Sequence, residues 1–155
     1  MEMRELISQD AVIDGLKASS KKQALQDLAE RASKVAEVNA RDVLDTILAR
    51  EKLGTTGVGQ GIAIPHGRID KLDRLHGLFA RLNKPVDFES LDDQPVDLVF
   101  MLLAPESAGA DHLKALAKIS RLLRDKSVVE KLRGSDGSDA LYALLTDHNG
   151  ENGGS

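Results

Sequence analysis

The spacing of apolar residues predicts two helices in the first third of the chain. Ser20 and Gln23 have the spacing of a capping box, and apolar residues then recur at helical spacing through residues 24–36. A second helix is predicted after Asn39, a favourable N-cap residue, and Gly54 suits the position that follows its end. The buried stripe of this second helix consists of Val43, Leu44, Ile47 and Leu48.

Three apolar segments further along the chain predict β-strands. Ile62 and Ile64 alternate with small residues, which favours a short strand that ends at Pro65. Residues 78–82 and 96–104 predict two more strands. The last segment is apolar almost throughout, as is typical of a central strand that is buried on both faces.

Helices are predicted again after the last strand, over residues 111–124, 127–132 and 138–146. Residues 148–155 contain no apolar side chain that could anchor them, so we expect a disordered tail there. The alternation of helices and strands over residues 1–147 predicts a single α/β domain, in which helices flank both faces of a small mixed β-sheet.

Composition excludes several classes of function. The 155 residues carry a net charge of −4, which disfavours nucleic-acid binding, and aromatic residues make up only 3%. Because cysteine is absent, disulfides, thiolate nucleophiles and cysteine-based zinc sites are excluded. The longest apolar run, residues 98–104, is far shorter than the about 20 residues of a membrane span, and the N-terminus lacks the apolar core of a signal peptide. We therefore expect a cytoplasmic protein without membrane insertion.

The most reactive candidate side chain is His66, which follows the predicted strand end and precedes Gly67. Upstream lies the glycine-rich segment 54–61, whose backbone amides can converge on an anion. The candidate phosphate-binding residues are Thr55, Thr56, Gly57, Gly59 and Gly61. A ring nitrogen beside such donors describes a phosphoryl acceptor. Alternatively, the glycines only build a turn and His66 is a hydrogen-bonded core residue.

Two further residues are candidates for the same site. His112 belongs to the first turn of the long predicted helix, where the helix dipole should lower its pKa and keep the ring neutral. A neutral ring there could donate a hydrogen bond to His66 or to a phosphoryl oxygen, or His112 is only an exposed first-turn residue. Arg50, at the end of the second helix, either supplies positive charge to a phosphorylated His66 or complements the helix dipole.

The remaining motifs point away from other chemistry. His76 lies in a charged connection, where we expect a solvated surface histidine, and His148 lies in the predicted tail. A Walker A loop is excluded because the sequence contains no Gly-Lys pair, and Ile62 interrupts the dinucleotide-binding fingerprint. Paired histidines at metal-ligand spacing are also absent, so we expect neither a metal nor an organic cofactor.

Residues 50–67 read Arg-Glu-Lys-Leu-Gly-Thr-Thr-Gly-Val-Gly-Gln-Gly-Ile-Ala-Ile-Pro-His-Gly. This segment strongly resembles the active-site signature of the type-2 IIA domains of the bacterial phosphoenolpyruvate phosphotransferase system, the fructose/mannitol-type and nitrogen-regulatory IIA proteins. The similarity extends over nearly the whole chain, including residues 20–25, residues 93–98 and the segment that follows His112. The opening Ser-Lys-Lys-x-Ala-Leu and the strand entry Asp-Gln-Pro-Val-Asp-Leu favour the nitrogen-regulatory branch.

The resemblance implies a phosphotransferase/anion transport protein-like fold and a phosphocarrier that needs no cofactor. In the family, the histidine at the position of His66 accepts phosphate from a phosphohistidine on an HPr-like carrier, which in the nitrogen branch is NPr. The histidine at the position of His112 faces it, and the arginine at the position of Arg50 helps to hold the phosphoryl group.

The resemblance also separates two branches of the family. Nitrogen-regulatory members use their phosphorylation state to control other proteins, such as potassium-transport and sensor-kinase systems, so their role is regulatory rather than metabolic. Two alternatives remain at this stage: a free-standing IIA component of a fructose or mannitol permease that passes phosphate to a IIB domain, and a non-catalytic binding domain that has kept the fold.

Overall fold

The computed structural model describes residues 1–147 with their side chains and the backbone as far as Gly154. The predicted disordered tail, residues 148–155, lies outside the fully described residues. The helices are α1 (Met3–Leu6), α2 (Lys21–Val35), α3 (Ala40–Lys52), α4 (Ala110–Arg124), α5 (Lys126–Gly134) and α6 (Ser138–Gly154). The strands are β1 (Val12–Leu16), β2 (Gly57–Gly59), β3 (Ile62–Ala63), β4 (His66–Ile69), β5 (His76–Val86) and β6 (Val96–Pro105). A short 3₁₀ turn, Gln9–Ala11, precedes β1.

The six strands form one mixed sheet with β6 at its centre. The order is β1-β5-β6-β3-β2, and β4 also pairs with β6, beyond the end of β3. Strand β5 runs antiparallel to β6, whereas β3 and β4 run parallel to it. All of β6 from Leu98 to Ala104 is buried, because helices cover both faces of the sheet. The prediction of a single α/β domain with a small mixed sheet is confirmed.

Local capping fixes where the first two long helices begin. The Ser20 hydroxyl accepts a hydrogen bond from the Gln23 amide at 3.1 Å, and the Asn39 side chain accepts one from the Asp42 amide at 3.1 Å. The reciprocal half of the predicted capping box is wrong, because the Gln23 side chain donates to Asp27 at 2.8 Å instead. A single cap is therefore enough to start α2.

The sheet contains more strand than the apolar pattern predicts. The predicted strand that ends at Pro65 is only Ile62–Ala63, and the chain pairs with β6 again from His66 onward. The strand predicted over residues 78–82 starts earlier, at His76, and continues to Val86. These differences matter for the site, because the second pairing places His66 on a strand rather than in a turn.

Candidate functional site

His66 is the first residue of β4 and lies opposite Leu102 in the parallel pair with β6. Its side chain is half-buried, and its Nδ1 lies 2.9 Å from the backbone oxygen of Ile64. Because a carbonyl oxygen can only accept, Nδ1 carries the ring hydrogen and donates it. In the neutral ring, Nε2 therefore keeps the lone pair and is the nucleophilic nitrogen.

His112 lies in the first turn of α4 and faces His66. The two ring centroids are 5.8 Å apart, and the planes meet edge to face at 71°. The residue is only 7% exposed, so the alternative of an exposed first-turn residue is wrong. Its Nε2 atom is buried and has no hydrogen-bond partner among the side chains and backbone that the structure describes. An unpaired buried polar atom next to a nucleophilic ring marks a place where a ligand can be bound.

Burial lowers the pKa of His112, and the nearby His66 and Arg68 lower it further. The direction agrees with the expectation from the helix dipole, but the main physical cause is desolvation of the charged ring rather than the dipole. A neutral His112 can donate a single hydrogen bond from Nε2 without adding a buried positive charge beside His66.

Arg50 lies in the last turn of α3, the helix that packs against β4. Gly67 provides the close contact: a β-carbon there would lie 2.8 Å from Cγ2 of Thr46. Arg50 follows Thr46 by one helical turn and so projects from the same side of α3. The Arg50 guanidinium donates to the Gly54 carbonyl at 2.9 Å, a contact that uses one of its five N–H donors.

The glycine-rich segment forms a tight β-hairpin whose tip points away from His66. Its turn residues, Gln60 and Gly61, have φ of 57° and 81°, as a two-residue hairpin turn requires. The tip lies beside Leu98 of β6, whereas His66 lies beside Leu102, about 13 Å further along the strand. The structure therefore does not bring Gly59 and Gly61 to His66.

The tip of the hairpin is bonded to distant parts of the chain. The Gln60 amide donates to Asp92 at 2.8 Å, and its carbonyl accepts from Arg133 at 2.8 Å. Arg133 also pairs with Asp97 at 2.8 Å. These bonds fasten the hairpin to the start of β6 and to α5.

The two threonines at the other end of the hairpin are nearer to the site but already bonded. The Thr55 hydroxyl donates to the Phe88 carbonyl at 2.5 Å and accepts from the Gly57 amide at 3.0 Å. The Thr56 hydroxyl donates to the Glu51 carboxylate, and the Thr56 amide lies 3.1 Å from the same group. In this arrangement these donors hold the segment, and a role in phosphate binding stays a prediction.

Glu51 is a structural residue that the sequence did not reveal. Its side chain is 5% exposed, and its carboxylate lies 2.9 Å from the Lys21 ammonium group. The Lys21 nitrogen also lies 5.3 Å from the ring centre of Phe88. This cluster joins the start of α2, the end of α3 and the segment that leads to His66. A glutamate at a helix end is ordinarily solvated, so only its position beside Arg50 in the signature could have suggested this role.

Arg68 lies close to the histidine pair, although no motif in the sequence points to it. It follows His66 by two residues on β4, and alternate residues of a strand project from the same face. Its guanidinium donates to the backbone carbonyl of Glu106 at 3.1 Å, in the connection between β6 and α4. Its positive charge contributes to the lowered pKa of His112.

The prediction that His76 is a solvated surface histidine is wrong. The residue is 5% exposed, because β5 begins at His76 and pairs it with Leu103. Its Nε2 lies 3.1 Å from the carboxylate of Asp73, and this hydrogen bond lowers the pKa of Asp73. His148 lies outside the residues whose side chains are described.

Within the described residues, no group of three or more histidine, aspartate or glutamate side chains is arranged to hold a metal ion. In the same part of the chain, no helix has the length and apolar character needed to cross a bilayer.

Comparison with known proteins identifies the class to which this fold and site belong. The family model for the phosphoenolpyruvate-dependent sugar phosphotransferase system, EIIA 2, matches residues 5–148. The chain therefore belongs to the type-2 IIA family of the phosphotransferase system, as its signature predicts.

Individual relatives agree with the predicted nitrogen-regulatory branch. A nitrogen regulatory protein of Bradyrhizobium diazoefficiens is 57% identical over 145 residues, which cover 94% of this chain and 95% of that protein. The crystal structure of the nitrogen regulatory protein IIA-Ntr from Neisseria meningitidis superimposes with a TM-score of 0.86 at 35% identity, over 92% of this chain and 97% of that one.

A more distant structural relative comes from the sugar branch. In the complex of enzyme IIA-mannitol with phosphorylated enzyme IIB-mannitol from Escherichia coli, the matched chain has a TM-score of 0.75 at 26% identity. The match covers 90% of this chain and 98% of that chain. The shared fold therefore extends from the nitrogen-regulatory to the mannitol-specific members.

Proposed function

We propose that this protein is a regulatory histidine phosphocarrier of the nitrogen branch, and that His66 accepts the phosphoryl group. The observation that carries the proposal is the fixed orientation of the His66 ring. The hydrogen bond to Ile64 occupies Nδ1 and leaves Nε2 as the acceptor, in a ring that lies 5.8 Å from the ring of His112. The donor is the phosphohistidine of an HPr-like carrier protein, and NPr is the form expected in the nitrogen branch.

The chemical step exchanges one nitrogen–phosphorus bond for another. The bond on the donor histidine breaks, that nitrogen recovers its electron pair, and the lone pair of His66 Nε2 forms the new bond. Because the two bonds are alike, the step is close to thermoneutral and reversible. Phosphoryl transfer passes through a loose transition state, so the protein contributes mainly position and charge.

Arg50 and His112 supply the charge and the hydrogen bond that this step requires. The Arg50 donors that Gly54 does not use are available for phosphoryl oxygens. The buried Nε2 of His112 gains in the phosphorylated protein the partner that it lacks here. The Thr55, Thr56 and Gly57 contacts hold the neighbouring segment, so any direct bond from them to phosphate needs a local rearrangement.

Phosphorylation adds a group of about two negative charges to the ring. Such a change on a docking surface alters which proteins bind, and this is how a phosphocarrier regulates. We propose potassium-transport and sensor-kinase systems as the regulated partners and the cytoplasm as the place of action, which is what the resemblance to the nitrogen-regulatory branch implies. A sugar-branch role, with transfer to a IIB domain, is the alternative that the mannitol-specific structure supports.

Intact-mass measurement of the phosphorylated protein tests the proposal. The protein is incubated with phosphoenolpyruvate, the first enzyme of the system and either the sugar-branch or the nitrogen-branch carrier. We expect one added phosphoryl group, faster transfer from the nitrogen-branch carrier, no transfer to His66→Ala, and slower transfer to His112→Ala. Equal labelling of wild type and His66→Ala contradicts the proposed acceptor, and faster transfer from the sugar-branch carrier favours the alternative.

A further inference from the structure

The side chain of Arg68 joins the two elements that carry the histidine pair. Arg68 lies on β4 with His66, and its guanidinium bonds the Glu106 carbonyl in the connection that leads into α4, the helix of His112. The side chain is exposed, and the bond to Glu106 uses one of its five N–H donors. The other donors are available to a ligand.

The position of Arg68 relative to His66 follows from strand geometry. Residues two apart on a strand project from one face, with their Cα atoms about 6.6 Å apart. An arginine side chain is long enough to bring its planar fork to a group attached to the neighbouring ring. The electrostatic influence of Arg68 on His112, across the same space, agrees with this placement.

From this geometry we infer that Arg68 is a second phosphoryl-binding arginine, which contacts the phosphoryl group on His66 from the β4 side while Arg50 contacts it from α3. The inference rests on the proposed phosphocarrier function. A guanidinium favours the dianionic phosphoryl group over the monoanionic one, so Arg68 stabilises the phosphorylated state and the transition state that leads to it.

Two variants separate the charge of Arg68 from its shape. Arg68→Gln removes the positive charge, and Arg68→Lys keeps the charge but loses the planar fork. Arg41→Gln is the matched control, because Arg41 is an exposed arginine that pairs with Asp45 at 3.2 Å and lies more than two turns before Arg50 on α3. Each variant is phosphorylated with potassium phosphoramidate, a small donor that has no docking surface, and in parallel with the phosphorylated carrier protein.

The expected result is a loss that does not depend on the donor. Arg68→Gln slows phosphorylation about fivefold with both donors, the size expected for one partly exposed charge-assisted hydrogen bond. A ³¹P NMR titration of the phosphorylated protein then shows a higher pKa of the phosphoryl group than in wild type. In both measurements Arg68→Lys lies between wild type and Arg68→Gln, and Arg41→Gln behaves as wild type.

Three results overturn the inference. An unchanged ³¹P titration in Arg68→Gln shows that the guanidinium does not touch the phosphoryl group. A loss with the carrier protein but not with phosphoramidate makes Arg68 a docking residue instead. A loss that Arg68→Lys does not relieve, together with a lower melting temperature, makes its role structural. If wild type itself accepts no phosphate from either donor, it is the proposed function that fails.

Discussion

Replacing Gly67 by alanine tests whether the close contact between α3 and β4 determines the position of the site. The added β-carbon would lie 2.8 Å from Cγ2 of Thr46, about 0.6 Å less than ordinary contact at 3.4 Å, and 3.5 Å from Cδ1 of Ile47. Threonine is stiff about its first side-chain torsion, so α3 must shift away from the strand. Overpacking of this kind costs about 2 kcal/mol.

Thermal unfolding and phosphorylation rate are the two measurements for this variant. About 2 kcal/mol corresponds to a decrease in melting temperature of about 4–8 °C for a chain of this length. Because α3 also carries Arg50, we expect phosphorylation to slow by about tenfold, in keeping with the sensitivity of transfer reactions to small displacements.

A second substitution and a control make this prediction specific. Thr46→Ser removes the methyl group that the new β-carbon meets. The free energy of unfolding of the double variant, Gly67→Ala with Thr46→Ser, should therefore be higher by at least about 1 kcal/mol than the two single changes add up to. Gly134→Ala is the control, because a β-carbon there meets nothing within 4 Å and the helix gains from alanine. A Gly67→Ala variant that is as stable as wild type, or a loss of stability that Thr46→Ser does not reduce, would refute the steric argument.

Two further predictions concern buried charge. Glu51→Gln breaks the buried pair with Lys21, and we expect it to lower the free energy of unfolding, measured in urea, by about 2 kcal/mol. Asp45→Asn is the control: it breaks the exposed pair with Arg41 and should lower the free energy of unfolding by less than about 0.5 kcal/mol. Equal losses in the two variants would contradict the structural role of Glu51. The pKa of His112 lies below 6.5 in the folded protein, so the unfolded chain binds the extra proton first as the pH falls. Stability should therefore decrease from about pH 6.5 down to the folded pKa, and His112→Gln should flatten this decrease in urea titrations between pH 7 and 5. A decrease of the same slope in both proteins would contradict the buried, neutral state of His112.

Features that depend on neighbouring residues could be predicted from the sequence. The starts of α2 and α3 follow from Ser20 and Asn39, whose side chains cap amides three residues away. Strand β6 follows from its continuous apolar run. His66 was predicted as the candidate acceptor because its strand end, glycine-rich segment and signature lie within one short stretch.

Features that depend on distant pairing could not be predicted in this way. Strand β4 contains His66, Gly67 and Arg68, which show no apolar alternation, and it is a strand only because β6 lies beside it. His76 is buried because it pairs with Leu103, far along the chain. The direction of the glycine hairpin likewise depends on bonds to Asp92 and Arg133. Because these partners are distant in sequence, the sequence alone predicts glycines closer to His66 than the structure shows.

The sequence points to candidate site residues but not to their geometry. It makes His66, His112 and Arg50 candidates, yet it could not indicate which ring nitrogen of His66 is free to act as the nucleophile. That choice depends on one backbone carbonyl, of Ile64, which holds Nδ1. The participation of Arg68 likewise emerges only when β4 and the connection to α4 are placed side by side.

The most direct test is to determine which nitrogen carries the phosphoryl group. Protein labelled with ¹⁵N is phosphorylated by the carrier protein, and the histidine ring nitrogens are assigned by long-range ¹H–¹⁵N correlation. The structure predicts a phosphorus coupling on Nε2 of His66, with Nδ1 still protonated and bonded to Ile64. A coupling on Nδ1 of His66, or on any other histidine, would contradict the account.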